Sequence, residues 1–282
     1  MNPLIRCTRA ELFRLRRWPA VWVTLGAWEV LALLFGYVFN YLALKTGSSM
    51  RGGDATKAEL LHDLVPVSMP DVLVRGMPMF GGALIMVLGA LVAGGGYGWG
   101  SWKTVFTQGP SRTGVIGGSL AALTTLVVGV LAVTLVLETG ASLLVATTEG
   151  QAVVWPTGAA VAKSAGAGFL VLEMWALFGY ALGTLAKGPG LSIGLGLVWV
   201  LVVENLLRGV GSLLDVVADL THVLPGTAAG SLVGAITGTD GVGATPGVLD
   251  DIGGLRALLT VAVYAVALPA FAVLLVRRRD VA

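Results

Sequence analysis

Three acidic side chains lie within long apolar runs of the sequence: Glu29, Glu173 and Glu204. An ionised carboxylate is costly to hold in an apolar medium, so such a group usually faces a cavity or a partner. At about 1.5 Å per helical residue, Glu29 falls near the middle of its run. Glu173 and Glu204 each fall in the half of their run that would face the outside of the cell. With no basic residue deep in a run, each carboxyl must be protonated, hydrated or hydrogen-bonded. Either at least one of them lines a substrate route, or they bond Ser, Thr or backbone groups between helices.

The remaining reactive side chains do not form a recognisable centre. His62 and His222 fall in segments assigned to the outside and Cys7 in one assigned to the cytoplasm, so we expect no metal site. A Gly-x-x-x-x-Gly-Lys-(Ser/Thr) phosphate loop is absent, because no lysine follows a glycine. We therefore expect a chain that is not an enzyme and that binds no cofactor of its own.

The composition is that of a membrane protein. Of 282 residues, 56% are apolar and only 12% are charged, whereas about a quarter are charged in ordinary soluble domains. A membrane crossing takes roughly 20 apolar residues, and the alternating pattern of a barrel is absent. The sequence thus predicts an all-α fold with a transmembrane domain at 19–276, whose six helices span 19–44, 76–97, 114–137, 166–186, 190–207 and 255–276.

Charge is segregated along the chain. The segments 1–18, 98–113 and 187–189 and the basic tail 277–282 together hold eleven Lys or Arg and two acids, net +9, whereas the rest of the chain is net −7. Because loops rich in Lys and Arg stay in the cytoplasm, both termini are predicted inside. The long segment 209–254 then lies outside, and its apolar stretch 223–237 is either a surface helix or one that dips into the bilayer.

Two cytoplasmic segments have a pattern of their own. Residues 1–18 place leucines on one helical stripe and arginines on the other side, which predicts an interfacial amphipathic helix. In 98–113, Ser101 can cap a short helix running to Gln108, in which Trp102 and Phe106 share a face. These aromatics either enter a groove on a partner or anchor the helix at the level of the lipid headgroups.

The chain resembles the ABC-2-type permeases, the membrane subunits of ATP-binding-cassette exporters. The resemblance is carried by the arginine-rich helix before the first span, by the pattern Gly-x-x-(Lys/Arg)-Thr followed by Gly-Pro-Ser-Arg after the second, and by the six spans. In that family, the loop after span two forms a coupling helix on the ATPase subunit. The matching residues are Gly100, Ser101, Trp102, Lys103, Thr104, Phe106 and Arg112.

The resemblance implies a permease subunit in a bacterial plasma membrane that exports an unidentified substrate. ATP and Mg would be bound by a separate ATPase subunit. A second permease subunit, as homodimer or heterodimer, and membrane lipids would be the other partners, with no role for nucleic acid. The alternative is a proton- or ion-coupled secondary transporter or channel that uses the buried glutamates, and a third class is a membrane assembly or sensor protein without transport.

The charge segregation makes a test of orientation possible. In a Cys7→Ser background, cysteines introduced as Thr107→Cys and Thr239→Cys should react with a membrane-impermeant thiol reagent from opposite sides of the membrane. We expect Thr239→Cys to react in intact cells and Thr107→Cys only after permeabilisation. Equal reaction of both in intact cells would contradict the six-span topology.

Overall fold

The computed structural model describes residues 3–47, 56–107, 111–238 and 245–278. Within these ranges the chain is almost entirely helical and forms no strand. The helices are α1 (Pro3–Arg16), α2 (Pro19–Thr46), α3 (Lys57–Leu64), α4 (Met69–Arg75), α5 (Met77–Gly98), α6 (Ser101–Thr107), α7 (Arg112–Thr148), α8 (Gly158–Ala186), α9 (Pro189–Gly211), α10 (Asp215–Thr221), α11 (Pro225–Thr237) and α12 (Gly254–Arg278). As predicted, six of them are long and apolar enough to cross a membrane: α2, α5, α7, α8, α9 and α12.

Helices α5 and α8 form the centre of the bundle, and both are buried over most of their length. Their backbones touch. A Cβ atom at Gly89 would collide with the carbonyl of Ala176, and one at Gly179 would collide with the carbonyl of Met86. Small residues let membrane helices approach this closely, and van der Waals packing then holds them together where no hydrophobic effect acts. Gly183, one turn further along α8, also meets the backbone of α5, whereas Gly190 and Gly194 of α9 face open space.

One end of the bundle gathers both ends of the described chain, and we call it the terminus end. Here α1 packs on α7, with Gly118 against Cys7. Trp18 meets Trp99 edge to face, with ring centroids 5.0 Å apart, and Arg112 donates to the carbonyl of Val276 in the last turn of α12. Helix α1, α6, the α8–α9 turn and the end of α12 therefore lie at the same end of the bundle. Residues 279–282 of the predicted basic tail lie outside the described residues.

The spans are longer than the apolar runs predicted. Helix α7 continues to Thr148, past the predicted end at 137, and α8 begins at Gly158 instead of 166. Polar residues ended the apolar runs in the sequence, but these side chains are accommodated. Glu138 is buried inside the bundle and Lys163 is exposed at its surface. Beyond the spans, Glu149 accepts bonds from Tyr41 and Lys45, which ties α7 to α2 and lowers the pKa of Glu149.

Helices α10 and α11 form a pair bent by 74°. Helix α11 is buried over most of its length and packs on α12, α8 and the beginning of α5. This burial puts α11 inside the bundle, and the two positions predicted for 223–237, at the outer surface or dipping into the bilayer, stay predictions. Pro225 in the first turn starts α11, and Gly238, with φ +68°, ends it.

The contact between α5 and α8 predicts the effect of a single methyl group. Gly179→Ala places a Cβ against the backbone of α5, which cannot move aside as a side chain could, and should cost about 1–3 kcal/mol of stability. Gly194→Ala is the matched control, because nothing lies within 4 Å of that position. Thermal unfolding in detergent should show a lower melting temperature for Gly179→Ala only. Equal melting temperatures of both variants would mean that α5 and α8 do not touch at Gly179.

Candidate functional site

The carboxyl group of Glu204 lies where α9 meets the beginning of α11. A π-helical turn at Trp199–Val203 precedes it, and the indole N–H of Trp199 donates to Glu204 Oε1 at 2.7 Å. The Oε2 atom of Glu204 lies against Gly226, and a Cβ atom at position 226 would collide with this oxygen. A carboxylate at a helix N-terminus is stabilised by the helix dipole and the free N–H groups. Glu204 thus joins α9 to the buried helix α11.

The sequence places no basic residue deep in a span to neutralise the acids, but for Glu204 the structure provides one at the end of α9. Helix α9 continues beyond 207, so Arg208 lies one turn after Glu204 on the same face. Its Nη1 atom lies 3.9 Å from Glu204 Oε2, and its Nη2 donates to Asn205 at 2.7 Å. The apolar run stopped before this arginine, which is why the sequence did not suggest the pair.

The other two predicted acids bond between helices. Thr124 of α7 donates to Glu173 of α8 at 2.6 Å, and Thr134 of α7 donates to Glu29 of α2 at 3.1 Å. Thr134 also accepts the indole N–H of Trp28 at 3.0 Å. The two threonines are ten positions apart, which is about 15 Å along α7, so the structure does not bring Glu29 and Glu173 into one site. Each makes the interhelical bond of the structural alternative, and each keeps one oxygen without a bonding partner among the described residues.

A fourth buried acid, Glu138, was not predicted. Its side chain is 2% exposed, and its Oε2 atom has no hydrogen-bonding partner within the described part of the chain. One signal for it was present in the sequence. Thr134, Glu138 and Ser142 follow one another at four-residue spacing, and all three are buried, so a polar stripe continues along α7 where the apolar run ends.

Further charges surround this stripe at the end of the bundle opposite the termini. Arg75, at the end of α4, donates to Asp63 at 2.9 Å and 3.4 Å. Asp71 lies nearby, where burial raises the pKa of its carboxyl although the charge of Arg75 opposes the shift. The nearby cavity of about 150 Å³ has both Arg75 and Glu138 in its wall. This grouping was not predicted, because 45–75 was taken as an outer loop.

At the terminus end, the short helix predicted to begin at Ser101 is present as α6. Trp102 and Phe106 share a face and stack, with ring centroids 5.4 Å apart. The proposed anchoring role of Trp102 must be corrected, however. Its ring is 6% exposed, fills the space left by Gly96, and donates its N–H to the carbonyl of Ala93 at 3.1 Å. Trp102 therefore fixes α6 to α5 and is not available to a partner.

The other predicted contact residues lie around this fixed helix. Gly100 adopts φ +67° at the turn into α6, and the Ser101 hydroxyl donates back to Gly96 at 3.2 Å. Lys103 and Thr104 are exposed, and Phe106 is half-buried beneath the guanidinium of Arg112, 5.9 Å away. Gln108, the predicted last residue of the helix, lies outside the described residues, as do Gly109 and Pro110.

A larger cavity of about 550 Å³ lies between α1, α6 and α7. Its wall includes Trp102 and Val105 of α6 and the ion pair of α1, in which Arg14 donates to Glu11 at 2.5 Å and 3.1 Å. Ser119 of α7 also donates to Glu11, at 3.3 Å. The arginine-rich helix is thus connected by polar bonds to the bundle beside α6.

One hydrolase-like pattern occurs in the sequence, with Ser192 between Gly190 and Gly194. In hydrolases of that type the serine is exposed on a strained turn between a strand and a helix. Here Ser192 lies inside α9, is fully buried, and donates to the carbonyls of Gly188 and Leu182. Its position is that of a structural serine.

The Glu204 contact predicts a specific loosening of α11. Glu204→Gln removes the charge at the helix N-terminus, worth about 1 kcal/mol, while an amide oxygen can still accept from Trp199. A cysteine introduced as Ala228→Cys, at a fully buried position in α11, should then react with a small thiol reagent about fivefold faster. The background is Cys7→Ser, and Glu173→Gln is the matched control because Glu173 bonds Thr124 instead. Equal rates in both variants would show that Glu204 does not hold α11.

Comparison with known proteins does not assign a family: no protein-family model matches the chain, and no curated protein matches it significantly. The function proposed below is therefore based on the contacts described above.

Proposed function

We propose that this chain is the permease subunit of an ATP-driven exporter and forms the membrane pathway for a substrate moved outward. ATP and Mg would be bound by a separate ATPase subunit that docks at the terminus end. The observation that carries the proposal is α6, a short helix that is firmly held by the bundle and yet presents an exposed face, with Lys103, Thr104 and Thr107, beyond it.

The attachment of α6 suits it to transmit a force. Trp102 connects it to α5 through a buried ring and a hydrogen bond, and α5 contacts α8 at backbone distance. Arg112, stacked over Phe106, reaches the last turn of α12. A push on α6 would therefore be passed to α5, α8 and α12 as movement of packed helices, which is how rigid elements convey a switch.

The rest of the assembly is also part of the proposal. The exposed apolar residues on α2, α7, α9 and α12 form a surface suited to lipid or to a second permease subunit. A homodimer or heterodimer in a bacterial plasma membrane would then place the route between the two subunits. The long α1, with its arginines, would lie at the cytoplasmic headgroups beside α6.

A second candidate function is favoured by Glu29 and Glu138. Each of these two carboxyl groups has an oxygen without a hydrogen-bonding partner among the described residues. Acids held in this way within a membrane often bind a proton or a cation during coupled transport. Transport that follows an ion gradient in vesicles without ATP would identify this function and reject the exporter.

The exposed face of α6 is the place to test docking. Replacing Trp102 would disturb folding as well as docking, because its ring is part of the core. The side chain of Lys103, in contrast, is exposed. Lys103→Glu should leave the melting temperature unchanged and reduce retention of the ATPase subunit at least tenfold. The subunit would be detected by photolabelling with azido-ATP and by ATP hydrolysis of the complex purified from the native membrane.

The matched control is Lys187→Glu, the same charge change at an exposed lysine on another turn of the terminus end. It should retain the subunit. A photoreactive residue in place of Thr104 should also crosslink to the polypeptide that azido-ATP labels. If Lys103→Glu retains full ATP hydrolysis and the crosslink is absent, α6 is not a coupling helix and the main ground for the proposal is lost.

A further inference from the structure

The cavity of about 150 Å³ near Glu138 is bounded by four helices, α2, α4, α5 and α7, and by Thr245 and Pro246 from the segment before α12. Apolar and aromatic side chains form most of its wall, among them Trp28, Leu73 and Val72. Phe35 and Phe80 stack in parallel with ring centroids 6.0 Å apart, and both are partly exposed. They form the side of the cavity that opens to the surface of the bundle, between α2 and the beginning of α5.

In the part of the chain that the structure describes, the wall itself contains one acid, Glu138, and one cation, Arg75, and the acids Asp63, Asp71 and Glu29 lie next to it. Arg75 is the one cation that lines the cavity among the described residues, and it is already paired with Asp63 and flanked by Asp71. Glu138 has no such partner in the described ranges, although it is almost fully buried and one of its oxygens is unbonded. Its neighbour Glu29 adds a second carboxyl group whose described bond is to a hydroxyl, not to a cation.

We propose that this cavity is a binding site for a small organic cation, an aromatic or apolar group carrying a protonated amine that pairs with Glu138. The size fits such a group, since an apolar cavity of about 150 Å³ in another protein accommodates benzene. Aromatic rings attract cations over their faces, and Trp28, Phe35 and Phe80 supply three such rings. An inorganic cation such as Ca²⁺ or Mg²⁺ fits less well, because these ions take six or more oxygen ligands and this wall is mainly carbon.

Binding of a cation in this cavity does not depend on the proposed function, because it can be measured without transport or ATP hydrolysis. Three probes of the same size but different charge separate the contributions: 4-fluorobenzylammonium, the neutral 4-fluoroethylbenzene and the anion 4-fluorobenzoate. Fluorine NMR of each probe with the full chain in nanodiscs of phosphatidylcholine measures affinity, and empty nanodiscs give the background to subtract. We expect the cation to bind at least tenfold more tightly than the neutral probe, and the anion not to bind.

Variants locate the site. Glu138→Gln removes the charge without changing the shape, so it should weaken binding of the cation at least tenfold and leave the affinity for the neutral probe unchanged. Glu173→Gln, an intramembrane acid outside the cavity wall, should bind both probes like the parent. Ala32→Phe fills the cavity and should abolish binding of both. Melting temperatures establish that each variant is folded.

Several results would overturn the proposal. Equal affinity of the parent for the three probes, or preference for the anion, would reject a cation site even if Glu138→Gln failed to fold. A folded Glu138→Gln that binds the cation like the parent would reject the role of Glu138. Displacement of the cation probe by millimolar Na⁺ but not by choline would identify an inorganic ion as the occupant and reject an organic one.

Discussion

The contact between α5 and α8 is the interaction on which the other parts of the structure depend. At Gly89 and Gly179 each helix presents bare backbone to the other, so the pair packs without intervening side chains. Around it, Trp175 of α8 fills the space at Gly82, and Trp28 of α2 fills the space at Gly81. The large rings then orient the neighbours, since Trp28 also donates to Thr134 of α7. Small residues at the centre and indoles around it thus fix four spans relative to one another.

The buried carboxyl groups obey a related constraint, because the hydrocarbon core offers no water to satisfy them. Glu29, Glu173 and Glu204 each receive a bond from a side chain, and in the first two cases that side chain belongs to another helix. These bonds connect α7 to α2 and to α8. Among the described residues, no bond to Oε2 of Glu138 is present, and a buried acid that departs from a rule followed by its neighbours is a natural place for a ligand. The polar groups therefore serve two purposes here, holding helices together at most positions and leaving one position open.

The sequence was sufficient for the class of the fold and the number of long apolar helices, because composition and hydropathy report directly on the solvent. It was insufficient wherever a side chain's surroundings decided its role. Glu138 and Arg208 were placed outside the spans because charge ends an apolar run, although burial and pairing let the helix continue. Trp102 was correctly placed on the face of Phe106, but the pattern within one helix could not reveal that Gly96 on the preceding helix receives its ring. Helix-to-helix contacts of this kind depend on three-dimensional proximity that local spacing does not encode.

The length of α7 has a consequence for the membrane itself. Its 37 residues extend about 55 Å, whereas the hydrocarbon core is about 30 Å thick and the bilayer with its headgroups about 40–45 Å. Even at a tilt of 40°, the upper end of the usual range, α7 would still cover about 42 Å along the membrane normal. Ser111 and Glu149 at its two ends then reach the water on both sides. Hydrophobic mismatch therefore disfavours thin bilayers for this protein, and a thicker membrane would shelter more of the exposed Val136 and Leu144.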